Sequence, residues 1–297
     1  MASGVAASPP ALGSRLLAGS RGLSFNRWAL LAIPPFVFIS AFFAYPLYTM
    51  LARSFTDPTL GVGNYTHFFE TEVYWRTLLT TLRTSALVAL VCLVIGYPYA
   101  YLMTQVGSGW RKILIFFVLV PFWTSLLVRT YAWTVLLQDT GLINRLLMRA
   151  GLVDEPLSLI RSTTGVVIGM SQILLPFMVL PLYANMRTID PSLMRAATNL
   201  GASGFAAFRR VYFPLTRPGV AAGALIVFIY ALGFYITPAL LGSPRNAMLS
   251  ELIVLQISQL FNWGLGAAMA MILLAATLLL LAVLARFLRT AMVYQQP

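Results

Sequence analysis

The residues of this chain with chemical potential are few, and they are arginines and aromatics more than acids or nucleophiles. Arg129 stands inside the apolar run 113–138, with Trp123, Thr124 and Ser125 before it and Tyr131 and Trp133 after it. Counted back nine residues from Gln138, it would lie about 13 Å deep in a single helix, near the middle of a ~30 Å hydrocarbon layer. An arginine there must face the protein interior, a water-filled cavity or a group of carbonyls, because facing lipid is costly. Ser125 and Arg129 are four apart and share a helix face, which Trp133 continues. Two jobs suit such a stripe: guiding a polar solute through the membrane, or tying helix ends together. Tyr235 adds an aromatic face to the first.

The parts for catalysis are not evident. Cys92 is the single cysteine and His67 the single histidine. His67 has only Glu70 and Glu72 nearby, a weak metal set beside the reading of an ordinary outer loop, so no metal site is expected. No Asp, Glu or His falls within an apolar run to relay protons, and no Ser/His/Asp group is apparent. Residues 107–112 read GSGWRK, without the spacing or the Ser/Thr of a phosphate loop. An enzyme is therefore not expected, nor a bound cofactor, and any energy source must lie in another subunit.

Between two long uncharged runs lies 190–220, DPSLMRAATNLGASGFAAFRRVYFPLTRPGV, carrying Arg195, Arg209, Arg210 and Arg217. Asp190 is a good N-cap, Pro191 suits the first helical position, and Gly201 can adopt the left-handed conformation that ends a helix. Ser203 caps a second helix, which Pro214 is expected to stop. A basic helix-turn-helix on one membrane face predicts a docking element for another protein. Ala196, Ala197, Gly201 and Ala202 permit close approach, and Leu200 and Phe208 can anchor the contact.

The elements that position these residues are membrane helices. Hydrophobic residues make up 59% of the chain and charged ones only 9%, against roughly 25% charged in soluble domains. About 20 apolar residues cross the bilayer core as a helix. The runs 28–51, 84–106, 163–186 and 218–244 qualify, as does 113–138 apart from Arg129. The run 252–285 is too long for one crossing; its polar start (Gln256, Ser258, Gln259, Asn262) predicts a surface helix, then a span from about Leu265. The expectation is six transmembrane helices, all-α. Prolines 34, 35, 46, 98, 121, 176, 181 and 238 fall within these runs, either lining a cavity with broken helices or acting as packing kinks. Residues 1–27, rich in Ser, Gly, Ala and Pro, read as a disordered tail, and 291–297 as a second tail.

With the N-terminus inside, twelve basic residues fall on the cytoplasmic side: Arg15, Arg21, Arg27, Arg111, Lys112, Arg187, Arg195, Arg209, Arg210, Arg217, Arg286 and Arg289. Arg53, Arg145, Arg149, Arg161 and Arg245 fall outside, while Arg76, Arg83 and Arg129 lie at or within spans. Asp190 is the one acid inside. This bias places both termini in the cytoplasm and accounts for the net charge of +12 without nucleic acid.

The segment 195–202, RAATNLGA, followed by Phe208, Val211, Pro214, Leu215, Pro218 and Gly219, resembles the EAA loop of ABC importer permeases. Arg195 stands where that family usually reads glutamate. The resemblance spans roughly 28–289, and PFWTSLLVRTYAW at 121–133, residues 141–144, LLPFMVLPLY at 174–183, FYITPALLG at 234–242 and Asn262–Trp263 are similar to the first permease component of spermidine/putrescine-type systems. It implies a type I ABC importer permease fold of six spans over 28–290, in a bacterial inner membrane, with a cytoplasmic EAA coupling loop at 187–219. It implies these partners: a cytoplasmic ABC ATPase dimer that binds the ATP, a second permease, an extracytoplasmic solute-binding protein and membrane lipid. Coupling would fall to Arg195, Ala196, Ala197, Leu200, Gly201, Ala202, Phe208 and Pro214. The pathway candidates are Trp123, Ser125, Arg129, Tyr131, Trp133 and Tyr235. The implied solute is a polyamine; an opine, an aminophosphonate, an amino-acid-like compound or ferric iron fit the same class, and a secondary carrier or channel is the alternative class.

Overall fold

A computed structural model describes Leu31 and residues 33–293, with side chains up to Val283 and at Arg286. The tail at 1–27, the first residues of the first run and the last four residues lie outside this description. Among the described residues there are helices and turns and no strand. Five helices are long and apolar enough to span a membrane, and a sharply bent pair brings the number to six where it crosses as one span. The predicted spans correspond to these five helices and the bent pair, with different edges.

The helix α1 (Ile33–Thr56) carries a π-turn at Ser40–Ala44. Up to Thr49 it forms a unit of its own, in which Phe38 and Phe42 stack with centroids 4.7 Å apart. The Tyr45 N–H bonds back to the Ser40 carbonyl, and Pro46, which has no N–H to give, follows directly. A widened turn absorbs the missing donor.

The second unit begins with the end of α1, followed by α2 (Gly63–Glu70) and α3 (Glu72–Gln105). The span expected at 84–106 is the C-terminal part of α3, which starts a dozen residues earlier. Arg76 in that extension pairs with Glu72 one turn back. Next come α4 (Ser108–Trp123, its last turn 3-10), α5 (Leu126–Leu136), α6 (Leu142–Arg149) and α7 (Thr163–Arg187). The chain continues through α8 (Pro191–Asn199), α9 (Gly204–Leu232), α10 (Ile236–Leu241), α11 (Leu249–Ser258) and α12 (Trp263–Val293).

The core is the crossing of α3, α7 and α9, centred on Met178, which is fully buried. A Cβ on Gly96 would approach its Cγ to 3.0 Å, and one on Gly223 would come within 3.1 Å of its carbonyl oxygen. Small residues on the two flanking helices thus admit one long side chain from the third, the usual way membrane helices pack closely. Helices α3 and α7 continue past Pro98, Pro176 and Pro181, so those prolines end neither helix.

Two predicted spans are corrected. The run 113–138 is not one helix: α4 and α5 meet at 99°. Pro121 sits in the 3-10 turn, and Thr124 and Ser125 are extended. The depth of Arg129 counted along a single helix therefore does not hold, since it lies in the first turns of a separate helix. The run 218–244 also divides, ending its span at Leu232 and turning into the short α10.

Candidate functional site

The loop between α7 and α9 folds as its capping residues dictate. The Asp190 carboxylate accepts the Ser192 N–H at 2.8 Å with Pro191 behind it. Bonding to Ser192 holds that carboxyl below its usual range, assisted by the charge of Arg195. Gly201 ends α8 at φ +86. The Gly201 N–H bonds to Thr198 O and the Ala202 N–H to Ala197 O, the paired bonds of a Schellman ending. Ser203 caps α9 by accepting the Ala206 N–H at 3.3 Å.

Pro214 does not stop this second helix. A π-turn at Phe208–Tyr212 precedes it, the Phe213 N–H reaching Phe208 O, and α9 continues to Leu232. This is the device seen before Pro46, used again. It also changes which side chains face outward. In a regular helix Phe205 and Tyr212, seven apart, would share a face; the π-turn between them turns Phe205 away. Phe205 is 74% exposed and Leu200 89% exposed. Phe208, expected as an anchor with Leu200, packs inward instead, stacked on Tyr212 at 5.7 Å and edge-on to Tyr101 at 5.7 Å. Phe205 was legible in the sequence only as an apolar residue just after a cap. Arg195, Ala196 and Gly201 are exposed, while Ala197, Ala202 and Pro214 are half-buried.

Behind the loop lies a cavity of about 290 Å³, lined by Tyr101, Arg111, Arg187, Asp190 and Tyr212 among others. Arg111 donates from Nε to Met103 O at 3.1 Å and from Nη2 to Val106 O at 3.0 Å. It closes the end of α3, where free carbonyls favour a cation.

At the opposite end of α9 lie the other candidates. Trp123 and Tyr131 are exposed, Ser125 is exposed at the start of α5, and Arg129 and Trp133 are half-buried. The Arg129 Nε is buried with no hydrogen-bond partner among the described residues. Tyr235 borders a cavity of about 280 Å³ with Glu251 and Gln259, which none of the other five borders. Glu251 is the third residue of α11, and nothing in its local sequence sets it apart.

The segment between α5 and α7 is held by one buried polar side chain. Asn144, fully buried, donates to Gln138 O at 3.1 Å and Leu157 O at 2.9 Å and accepts the Leu157 N–H at 2.9 Å. Phe261, 75% exposed, adopts φ +54 just before α12, a strained conformation for an aromatic residue.

Residues 16–293 match the family described as binding-protein-dependent transport system inner membrane component. The chain belongs to that family. This permease is 36% identical over 215 residues to the spermidine/putrescine transport system permease protein PotB of Escherichia coli K12, covering 72% of this chain and 78% of that one. It is 30% identical over 266 residues to the inner membrane ABC transporter permease protein YdcU of the same organism, covering 82% and 84%. In fold it is similar to a bacterial alginate ABC transporter solved with an alginate pentasaccharide-bound periplasmic protein, at TM-score 0.70 and 20% identity, over 86% of this chain and 92% of that one. It is thus a multi-pass inner-membrane permease of the type I importer fold.

Proposed function

We propose that this permease forms half of the pathway of an ATP-driven polyamine importer, with both termini in the cytoplasm. The observation that carries the solute is the 36% identity to spermidine/putrescine permeases over 72% of the chain. A solute-loaded binding protein docks on the outer segments 57–75, 139–161 and 243–262. Two ATPase subunits bind and hydrolyse ATP, and their closure moves the loop at 187–219. Exposed Leu200 and Phe205 support that contact, because apolar side chains on a capped turn suit a cleft in a partner. A second permease, a different chain, completes the pathway. Loop motion then exchanges inward for outward access, with Gly201 as a hinge.

Another small organic solute is favoured by one observation: Arg129, a cation with a buried unpartnered Nε, would repel a polyamine if it faced the pathway. The experiment is a mild-detergent pull-down of the tagged permease from its native membrane, followed by reconstitution and uptake of labelled spermidine. Recovery of an ATPase and a second permease, with ATP-dependent spermidine uptake, is the expected result. A permease recovered alone that transports along an ion gradient would overturn the importer reading. A full complex that ignores polyamines would overturn the solute.

A further inference from the structure

The cavity beside Tyr235 holds a carboxylate at the end of the bundle where a solute would arrive. Helix α9 is 29 residues long, about 43 Å at 1.5 Å per residue, so α10 and α11 lie a membrane's width from the docking loop. Three hydrogen bonds fix the start of α11. The Leu249 N–H donates to Thr81 Oγ1 at 2.8 Å, the Ser250 hydroxyl to Phe234 O at 2.5 Å, and the Met248 N–H to Glu251 Oε1 at 2.8 Å. The Ser250 bond joins α11 to the turn that carries Tyr235, and so sets the tyrosine and the glutamate on one cavity.

The Glu251 carboxylate is half-buried. No arginine or lysine among the described residues borders this cavity, so no cation there balances Glu251. Arg245 is exposed on the turn Pro244–Asn246 and does not border the cavity. Burial holds the Glu251 carboxyl above its usual range, opposed by the Met248 N–H. A partly buried, unpaired carboxylate favours a cation arriving from outside. The remaining walls suit an alkyl ammonium: Tyr235 offers an aromatic face, Gln259 an amide, and Ala239, Leu252 and Leu255 hydrocarbon.

We propose that Glu251, Tyr235 and Gln259 form a subsite for one ammonium group of the transported solute, with the adjacent methylenes against the apolar wall. This rests on the polyamine reading above. It extends that reading by supplying, in this chain, the acidic group that a polycation needs.

Glu251 also caps the start of α11 by accepting the Met248 N–H, and that role is separable. A glutamine at the third position makes the same backbone contact without the charge. The test uses the complete importer in proteoliposomes, with labelled spermidine at saturating binding protein. Glu251→Gln and Glu251→Ala are compared with wild type, together with Tyr235→Leu. If the charge binds the ammonium, Glu251→Gln assembles normally yet takes up spermidine about tenfold more slowly, as Glu251→Ala does, one decade being about 1.4 kcal/mol. Tyr235→Leu, which leaves the cap intact, is slowed roughly threefold. If Glu251→Gln transports like wild type while Glu251→Ala fails, the residue is a cap only and the subsite is overturned, with the polyamine reading intact. A Glu251→Gln protein that does not assemble hands the decision to Tyr235→Leu, and wild-type uptake there overturns the subsite. Wild-type protein that moves no polyamine overturns the solute reading and the subsite with it.

Discussion

The Oγ1 atoms of Thr130 and Thr237 lie 3.1 Å apart, both residues fully buried. They join α5 to α10, the two short helices that each follow a break in a run long enough to have been one span. Thr237 also packs on α7, where a Cβ on Gly169 would come within 2.9 Å of its Cγ2. A dry hydrogen bond between two broken segments locates them more sharply than apolar contact, which has no direction.

The two threonines are not equivalent. Thr130 Oγ1 also bonds to Leu126 O at 3.0 Å, so it keeps a partner when Thr237 is lost. Thr130→Val strands the Thr237 hydroxyl and should cost about 1–3 kcal/mol, whereas Thr237→Val should cost about 1 kcal/mol or less. Thermal unfolding of the purified complex measures both. Equal losses would show that the bond does not hold the two helices together.

Phe205 and Phe208 should separate function from stability. Phe205→Ala is expected to leave the melting temperature near wild type and to lower ATP-driven uptake at least fivefold, through loss of ATPase contact. Phe208→Ala opens the aromatic cluster with Tyr97, Tyr101 and Tyr212 and should cost roughly 3 kcal/mol. Uptake and unfolding measured on the same preparations decide, and the reverse pattern would reassign the docking residue.

Asn144→Ala removes three hydrogen bonds from a fully buried side chain and leaves two carbonyls and an N–H without it. A loss of about 2–4 kcal/mol is expected, with proteolysis between Gln138 and Leu157 rising first. Protection unchanged from wild type would contradict it.

At Phe261 the strained backbone predicts a trade. Asparagine tolerates positive φ better than phenylalanine, so Phe261→Asn should gain up to about 1 kcal/mol. The exposed ring is lost, and affinity for the loaded binding protein should fall. Surface-capture binding of the binding protein by the reconstituted importer provides the measurement; unchanged affinity would remove Phe261 from that contact.

The apolar runs made the spans readable because crossing a bilayer fixes both length and composition. The caps at Asp190 and Ser203 and the turn at Gly201 were readable because each acts within a few residues. Proline gave no comparable guide. Pro121 lies at a 99° bend while Pro98, Pro176 and Pro181 lie inside continuous helices, and nothing in the local sequence separates them. Pro214 was misread for a related reason, since a π-turn upstream takes up its missing donor, with Phe208 packed on Tyr212 and Phe205 exposed. Glu251 was hidden because its significance depends on Phe234, Tyr235 and Ser250 meeting across a turn.

The π-turn at Phe208–Tyr212 has a mechanical consequence. By carrying α9 past Pro214 without a break, it leaves one continuous helix from the exposed ring of Phe205 to Leu232, three residues short of Tyr235. A rod about 43 Å long, pivoting at its loop end by about 5°, sweeps its far end through about 4 Å. A small push at the loop end can thus reach the cavity beside Tyr235 as a displacement comparable to the width of a methylene chain, with no chemical signal passing between them.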